Sequence, residues 1–439
     1  MVSAANNTIA ALSSGALPAG IAVLRVSGPA TRLALEALAG GVPEPRRASL
    51  RTIRNGKGEE IDRGLVLFFA GPHSVSGEDL AEFHLHGGRA VVAAALEALT
   101  ALPGIRLAEA GEFTRRAFLN GRIDLTEAEG LADLLAAETE SQRRQALAQA
   151  GGALRALYEG WANRLLRARA LLEASFDFSD EGDVSENVAG PVADLVGKLI
   201  AEMAAHLDGA RGGEILRHGF RVAIVGAPNA GKSTLLNALA DRDAAIVTDI
   251  PGTTRDVIEV VLDLRGVPVR LFDTAGLRDT EDTVERIGIS RAREAMNSAD
   301  LVLALEAPDA PLPTELIEAE DARPILRLRT KSDASPASPD AFALSARTGQ
   351  GMEELVNRIA ALASDAAPDP GRLVPARTRH REAVAAALAI LTEFQAGDRP
   401  AEIGSEFLRL AGDELGRLTG RTGVEDLLGV VFSEFCIGK

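Results

Sequence analysis

The sequence holds very few of the residues on which several kinds of site depend. Its 439 residues include one cysteine (Cys436), one tryptophan and one tyrosine. A single cysteine excludes an intrachain disulfide and argues against a cysteine-based zinc site. So few large aromatic side chains disfavour a platform that stacks single-stranded bases. Basic residues are outnumbered 47 to 63, and the net charge of −16 argues against coating of nucleic acid by bulk electrostatics.

Long apolar runs and export features are missing as well. The longest apolar candidate, residues 91–102, is interrupted by Glu97 and Thr100 and falls short of the ~18 residues that a membrane span needs. The opening segment, MVSAANNTIAALSSG, has neither a basic region nor a continuous apolar region, so no export signal is expected. Lys439 is a poor final residue for prenylation of Cys436. We therefore expect a cytoplasmic protein without a membrane anchor.

What is present divides the chain into segments of different character. Strands are predicted near residues 20–27, 63–69 and 80–86, and a long helical stretch follows, with a capping box at Thr126 and Glu129. Strands and helices then alternate as in a parallel doubly wound sheet, before helical sequence returns. We predict a helical domain built from two chain segments, with an α/β domain inserted between them. The predicted domains are residues 1–120, 121–215, 216–370 and 371–439.

A phosphate-binding loop stands in the third of these segments. Gly226–Ser233 reads GAPNAGKS and matches G-x-x-x-x-G-K-[ST] between an apolar strand and a helix. Its glycines let backbone N–H groups turn toward phosphates, and the helix N-terminus adds a favourable dipole. Lys232 is expected to reach the β- and γ-phosphates, and the Ser233 hydroxyl to bind Mg²⁺. The pattern predicts a nucleoside triphosphate site.

Further motifs indicate that the base is guanine. Thr330–Asp333 (TKSD) resembles the N-K-x-D signature, and the Asp333 carboxylate can accept two hydrogen bonds that guanine offers and adenine does not. Thr330 replaces the usual Asn, which loses one amide that braces the loop. Ser345–Arg347 fits the loop whose backbone closes over the guanine O6 atom. Asp273–Gly276 (DTAG) fits the element that holds the Mg²⁺ shell and contacts the γ-phosphate.

The group that orients the attacking water is not evident from these motifs. The position after DTAG, where Ras-like enzymes carry a Gln, is Leu277, and the charged residues that follow it are not distinguished by spacing. Thr254 is the natural hydroxyl to complete the Mg²⁺ sphere, although spacing does not separate it from Thr253. The Asn229 amide has two possible roles, as a ligand for a monovalent cation or as a brace within the loop.

Motifs along essentially the whole chain resemble one family. The sequences AVLRVSG, GEFTRRAFLNGRIDLTEAEGLADL, GAPNAGKST, DIPGTTRD, DTAGLRDTEDTVERIG and FCIGK are similar to those of the MnmE (TrmE) family of tRNA-modification GTPases. The resemblance implies an α/β and α protein: an N-terminal α+β tetrahydrofolate-binding domain that dimerises, a two-segment helical domain, and an inserted Ras-like P-loop GTPase domain. It implies a homodimer that works with tRNA and an FAD-dependent MnmG-like partner in a heterotetramer or larger assembly, with FAD on that partner.

The family's reaction and site residues carry over by position. The reaction forms 5-carboxymethylaminomethyl or 5-aminomethyl groups on the wobble uridine with a one-carbon unit from 5-formyl- or 5,10-methylene-tetrahydrofolate. The implied catalytic residue is Glu285. The implied metal ligands are Ser233 and Thr254 for Mg²⁺, and Asn229, Thr248, Ile250 and Thr253 for K⁺. The implied folate contacts are Arg25, Glu82, Lys439 and Arg122, the last where the family often has Lys. The full GTP-binding set is Asn229, Ala230, Gly231, Lys232, Ser233, Thr234, Thr248, Asp249, Ile250, Pro251, Gly252, Thr253, Thr254, Asp273, Thr274, Ala275, Gly276, Thr330, Lys331, Ser332, Asp333, Ser345, Ala346 and Arg347.

Alternatives remain at this point. The chain could be a regulatory GTPase that binds RNA or ribosomes without folate chemistry, or a folate-dependent transferase with a vestigial GTPase domain. His84 and His86 allow a metal pair, although ordinary fold-supporting histidines are favoured. A basic cluster is either a tRNA contact or a solvated loop; it comprises Arg372, Arg377, Arg379 and Arg381.

Overall fold

The computed structural model describes residues 7–177, 189–242, 244–246, 259–273, 297–312, 324–334, 342–368, 371–397, 400–422, 425–433 and 435–439. The chain forms two compact units. The first comprises Met1–Ala132, Gln149–Gly160 and Leu415–Lys439, and the second comprises Asp133–Ala148 and Trp161–Glu414. The four predicted domain ranges stay a prediction. Within the described part of the chain, no helix is long and apolar enough to cross a membrane.

The first unit is built on a six-stranded sheet. Its strands run in the order β3-β4-β5-β2-β1-β6, and all neighbouring pairs are antiparallel except β1 with β6. The sheet comprises β1 (Thr8–Leu12), β2 (Ala19–Ser27), β3 (Ser49–Arg54), β4 (Glu60–Phe69), β5 (Leu80–Gly87) and β6 (Ile105–Leu107). Its first helices are α1 (Thr31–Ala39), α2 (Arg89–Thr100) and α3 (Glu112–Leu119).

Alternation along the strands sorts side chains between the two faces of this sheet. Leu24 and Val26 of β2 and Phe83 of β5 are buried in one core with α1 and α2. The residues between them, among them Arg25 and Glu82, therefore point to the opposite face, because successive strand residues alternate. On that face, Phe113 of α3 packs with Ile9 and Ala11 of β1. This packing leaves Arg25 and Glu82 on the face that Phe113 of α3 covers, rather than within the main core.

A helical stretch continues the chain through α4 (Leu125–Leu135), α5 (Glu140–Ala150), α6 (Ala153–Asp177), α7 (Ala189–Asp208) and α8 (Ala210–His218). The capping box at the start of α4 lies two residues before the predicted one. The Asp124 carboxylate accepts a hydrogen bond from the Glu127 N–H at 2.8 Å, and the Glu127 carboxylate accepts one from the Asp124 N–H at 2.7 Å. Burial raises the pKa of Asp124 to about 6.

The second unit contains a seven-stranded sheet of order β13-β12-β11-β7-β10-β9-β8. Its strands are β7 (Phe220–Gly226), β8 (Ala245–Ile246), β9 (Glu259–Leu264), β10 (Val267–Asp273), β11 (Leu301–Glu306), β12 (Ile325–Arg329) and β13 (Phe342–Ala343). The five strands from β13 to β10 are parallel, as predicted, but β9 and β8 are antiparallel to their neighbours. A tight turn at Arg265 and Gly266, both with positive φ, joins β9 to β10 and accounts for the reversal.

The central strand β7 is apolar on both of its faces. Val222 and Ile224 are buried on one face with α9 (Lys232–Ala240) and α10 (Met352–Ala366), and Ala223 and Val225 are buried on the other. Such a continuous apolar run is typical of a parallel strand covered on both sides. Three helices follow the sheet: α11 (Thr378–Ala396), α12 (Ala401–Thr419) and α13 (Glu425–Ser433). Helix α11 packs on α7. A helix that precedes the sheet in the sequence and one that follows it therefore come together in this unit.

Candidate functional site

The phosphate-binding loop lies between β7 and α9. Gly226 ends the strand with φ 158°, and a Cβ at this position would lie 2.5 Å from the Leu305 carbonyl oxygen. Gly231 precedes the helix with φ 93°, in the left-handed region that glycine adopts without strain. Asn229 has φ 65°, a conformation that Asn tolerates better than most residues. The local sequence is therefore matched to the sharp turn that a phosphate cradle requires.

The Lys232 side chain folds back over this loop. Its Nζ donates to the carbonyl oxygens of Gly226 at 2.8 Å and Ala227 at 2.9 Å, and the residue is only 8% exposed. These bonds hold the ammonium group above the loop that turns around the phosphates. The next two predicted residues, Ser233 and Thr234, lie exposed in the first turn of α9, at the positive end of the helix dipole.

Thr330 joins the guanine-recognition loop to the phosphate-binding loop. Its hydroxyl lies 2.7 Å from the carbonyl oxygen of Ala230 and 3.1 Å from that of Glu306, and Thr330 is 6% exposed. The sequence predicts that replacing the usual Asn by Thr loses one amide that braces the loop. The structure shows that the shorter hydroxyl still braces the loop, because Thr330 follows β12 directly and lies beside Gly231.

Asp333 is held by two side chains of the loop after β13. Its Oδ1 accepts a hydrogen bond from the Ser345 hydroxyl at 2.7 Å, and its Oδ2 accepts two from Arg347, at 2.9 Å from Nε and 2.6 Å from Nη2. Hydrogen bonds from Ser345 and then Arg347 hold the pKa of Asp333 below its ordinary value. The carboxylate is therefore ionised and acts as an acceptor, as the reading of guanine requires.

The remaining residues of the guanine loops support this arrangement. Lys331 has φ 55°, and its ammonium pairs with Asp309 at 2.8 Å. The Ser332 N–H donates to the Leu344 carbonyl at 3.1 Å, which ties the two loops together one step before Asp333. Ala346 follows the buried Ser345 in the second loop. Asp273 is the last residue of β10, at the same edge of the sheet as the end of β7.

Other predicted residues lie outside the part of the chain that the structure describes. They are Thr248, Asp249, Ile250, Pro251, Gly252, Thr253, Thr254, Thr274, Ala275, Gly276 and Glu285. The two switch segments, the catalytic Glu and most of the K⁺ ligand set therefore stay predictions. The described part of the predicted nucleotide site comprises the phosphate loop, Asp273 and the two loops predicted to bind guanine.

In the first unit, Arg25 and Glu82 face each other on β2 and β5. Arg25 Nη2 lies 2.8 Å and its Nε 3.2 Å from Glu82 Oε1, while His84 Nε2 lies 3.2 Å from Glu82 Oε2. Partial burial opposes ionisation of Glu82, but hydrogen bonds from Arg25 and His84 hold its pKa below the ordinary value. The Arg25 guanidinium also lies 5.8 Å from the centre of the Phe113 ring. Two of the four predicted folate residues are thus brought together.

The last residues of the sequence dock beside β1. The Ser13 hydroxyl donates to the Gly438 carbonyl at 2.8 Å, and Ile437 forms an antiparallel bridge with Ala110. A Cβ at Gly438, whose φ is 96°, would lie 2.0 Å from the Leu12 carbonyl oxygen. Lys439 is the next residue after Gly438, so it lies near the end of β1, the strand that pairs with β2. Exposed Arg122 lies instead against the loop before β5, where a Cβ at Gly77 would be 3.2 Å from its Cγ.

An ionic network on α3 was not predicted from the sequence. The fully buried Glu112 carboxylate accepts hydrogen bonds from Arg106 at 2.6 Å and Arg116 at 3.0 Å, and Arg116 also pairs with Glu78 at 3.1 Å. Burial opposes ionisation of Glu112, but hydrogen bonds led by those from Arg106 lower its pKa to about 2. Glu78 accepts a further bond from Ser27, two residues from Arg25. The i,i+4 spacing of Glu112 and Arg116 is the sequence feature from which their ion pair could have been predicted.

The proposed basic cluster after the sheet is engaged inside its own unit. Arg377 is 7% exposed and pairs with Asp133 at 2.8 Å, and Arg381 pairs with Glu214 at 2.5 Å. Arg372 donates to the Ala205 carbonyl at 2.6 Å. Pairs of this kind fix helices to one another, so they disfavour the tRNA contact. The interpretation as a solvated loop is wrong for Arg377, which is buried, and for Arg379 and Arg381, which lie in α11.

The two histidines of β5 have carboxylate partners of their own. His84 contacts Glu82, and His86 Nδ1 lies 2.8 Å from Asp62 Oδ1. Among the residues that the structure describes, no group of three or more His, Cys, Asp or Glu side chains is arranged to hold a metal ion. The carboxylate partners favour the fold-supporting interpretation of the two histidines.

Two family models and full-length relatives match this chain. The model of the MnmE helical domain matches residues 125–436, and that of the GTP-binding protein TrmE N-terminus matches residues 8–122. The tRNA modification GTPase MnmE of Rhizobium meliloti (strain 1021) is 52% identical over 438 residues, covering 99% of each chain. That of Agrobacterium fabrum is 53% identical with the same coverage.

The chain belongs to the MnmE (TrmE) family of tRNA-modification GTPases. This confirms the predicted family and the fold class of this MnmE-family chain, and with them its class as a GTP hydrolase. Among solved structures, the G domain of the T. maritima FeoB iron transporter is 28% identical, covering 33% of this chain and 98% of its own. Its TM-score of 0.26 supports no conclusion about the chain.

Proposed function

We propose that this chain is a potassium-activated GTP hydrolase of the cytoplasm that takes part in modification of the tRNA wobble uridine. In this proposal a homodimer works with an FAD-dependent, MnmG-like partner and a tetrahydrofolate one-carbon unit to form 5-carboxymethylaminomethyl or 5-aminomethyl groups. The main support for the GTP-hydrolase part of this proposal is the hydrogen bond of 2.7 Å between the Thr330 hydroxyl and the Ala230 carbonyl oxygen. It fixes the loop that reads the base to the loop that holds the phosphates.

In the proposed nucleotide site, each residue has a separate task, whether or not the structure describes it. The backbone N–H groups around Gly231 and the Lys232 ammonium bind phosphate oxygens, and the ionised Asp333 binds the donor edge of guanine. The exposed Ser233 hydroxyl fits a hard cation such as Mg²⁺, with Thr254 as its second protein ligand. Glu285 then orients the attacking water. Bound Mg²⁺ and K⁺ would supply positive charge against the negative charge that develops on the phosphates.

The K⁺ role is proposed for Asn229 together with Thr248, Ile250 and Thr253. Asn229 suits it because its backbone already has the left-handed conformation of the loop and its side chain is exposed beside the phosphate cradle. Its amide oxygen is a neutral ligand, and neutral oxygens suit a monovalent cation. Such a cation would replace the charge that an arginine supplies in other GTPases.

We expect GTP turnover to be at least tenfold faster in KCl than in NaCl at equal ionic strength, because the cation contributes to stabilising the transition state. Asn229→Ala should reduce this ratio to near one. The measurement is phosphate release at saturating GTP and Mg²⁺. Asn237→Ala, at an exposed position of the helix that follows, is a matched control and should keep the ratio. Equal rates of the parent protein in both salts would contradict the potassium mechanism.

The folate half of the proposal is supported by the Arg25–Glu82 pair. Glu82 is ionised, and its Oε2 has acceptor capacity beyond the bond from His84, which suits the N–H edge of a pterin. Lys439 and Arg122 carry the positive charges that suit the glutamate tail of a folate. A regulatory GTPase without folate chemistry has no need of this arrangement.

Calorimetric titration with 5-formyl-tetrahydrofolate should therefore detect binding to the parent protein. Glu82→Gln should weaken it by about 10- to 100-fold, since the charged acceptor is worth roughly 1.5–3 kcal/mol. Glu97→Gln, an exposed carboxyl on α2, should bind as the parent does. Absence of binding to the parent would favour the regulatory GTPase instead.

A further inference from the structure

The lone pairs of the Asp333 carboxylate are unequally occupied. An ionised carboxylate oxygen has two acceptor sites, and Asp333 Oδ1 uses one of them for the Ser345 hydroxyl. Oδ2 accepts two hydrogen bonds from one guanidinium, from Arg347 Nε and Nη2. Among the residues that the structure describes, no other side chain than Ser345 bonds to Oδ1, which keeps a site for a ligand, whereas both sites of Oδ2 are taken by Arg347.

Guanine requires an acceptor site on each oxygen of this carboxylate, and the contacts with Ser345 and Arg347 leave one only on Oδ1. Its N1–H and its exocyclic amino group each need one carboxylate oxygen. The first donor can use the open site on Oδ1, but the second must replace at least one Arg347 bond on Oδ2. The Arg347 side chain is 79% exposed, so it can leave without opening the core.

We propose that Arg347 is a specificity-determining residue that competes with the exocyclic amino group of guanine for Asp333 Oδ2. This inference rests on the proposed GTP-binding function. An exposed ion pair contributes little to stability, so the competition is modest and is weakened by salt. Hypoxanthine lacks the exocyclic amino group and offers only N1–H. Its nucleotides therefore bind while Arg347 stays in place.

The competition should affect the affinity for GDP but not that for IDP, since the two nucleotides differ by the exocyclic amino group. Arg347→Ala should bind GDP about two- to fivefold more tightly than the parent, while its affinity for IDP stays the same. Its preference for GDP over IDP should rise by the same factor. A general effect on the fold would instead move both affinities together.

The test is equilibrium titration of the full chain with GDP and IDP, for the parent and for Arg347→Ala. Arg409→Ala removes an arginine that pairs with Glu406 and Asp413 on α12, far along the chain from both guanine loops, and is the charge-matched control. A second measurement repeats the GDP titration at several KCl concentrations. The advantage of Arg347→Ala should shrink as salt rises, because screening weakens the pair in the parent.

Two results would overturn the inference. Weaker or equal GDP binding by Arg347→Ala would show that Arg347 supports the base or takes no part in its recognition. Equal gains for GDP and IDP would show that the effect is not on the amino group. Neither result bears on the proposed GTPase function, which would fail if the parent protein bound no GDP or released no phosphate from GTP.

Discussion

Replacing Lys232 by alanine should lower GTP turnover by at least about 100-fold, a loss typical of removing one charged donor from a transition state. The ammonium group is held 2.8 Å from the Gly226 carbonyl oxygen and 2.9 Å from that of Ala227, so it is positioned before substrate arrives. An alanine has no charge to offer the β- and γ-phosphates. Phosphate release under single-turnover conditions, with potassium and magnesium present, measures the loss.

Lys198→Ala is the matched control for this change. Lys198 lies exposed on α7, so its removal alters the net charge equally while leaving the phosphate loop untouched. Its turnover should equal that of the parent. If Lys232→Ala kept more than a tenth of the parental rate, the phosphates would be held in another way and the assigned role of the loop would be wrong.

Replacing Gly438 by alanine should detach the last residues from β1 and weaken folate binding by at least about tenfold, while GTP turnover changes little. A Cβ cannot lie 2.0 Å from the Leu12 carbonyl oxygen, and the φ of 96° is unfavourable for alanine as well. The segment must move, and Lys439 moves with it. Calorimetry with 5-formyl-tetrahydrofolate and a GTPase assay on the same preparation measure both effects.

Gly429→Ala provides the comparison within the same part of the chain. Gly429 lies in α13, and a Cβ added there meets no atom within 4 Å. Alanine should be tolerated and should favour the helix by up to about 1 kcal/mol. Unchanged folate affinity of Gly438→Ala would mean that the docked segment, Lys439 included, is not part of the folate site.

Local patterns predicted the phosphate loop with its flanking strand and helix, because these three elements are contiguous in sequence. The phosphate loop, its strand and its helix lie within residues 220–240, and the structure has each where the pattern places it. The bond between Thr330 and Ala230 was not predicted, because the two residues lie 100 positions apart, a distance over which spacing gives no signal. The same holds for the pairing of Arg347 with Asp333, which depends on how two separate loops approach each other.

In the N-terminal sheet as well, some strands were predicted from the sequence and others were not. The longer alternating strands β2, β4 and β5 were predicted, whereas β1, β3 and β6 were not. β1 reads TIAAL and is buried almost throughout, so it shows no alternation, and β6 has only three residues. Their place is fixed by tertiary pairing rather than by local pattern. Arg25 and Glu82 became a candidate pair only through the family resemblance, and the sheet register then placed them opposite each other.

The docking of the final residues beside β1 has a consequence for how the molecule is made. The Ser13–Gly438 bond joins residues 425 positions apart. A ribosome working at roughly 5–20 residues per second needs about 20 to 85 s to travel that far. During synthesis the segment after β1 therefore lacks this partner until the whole seven-stranded sheet has been made.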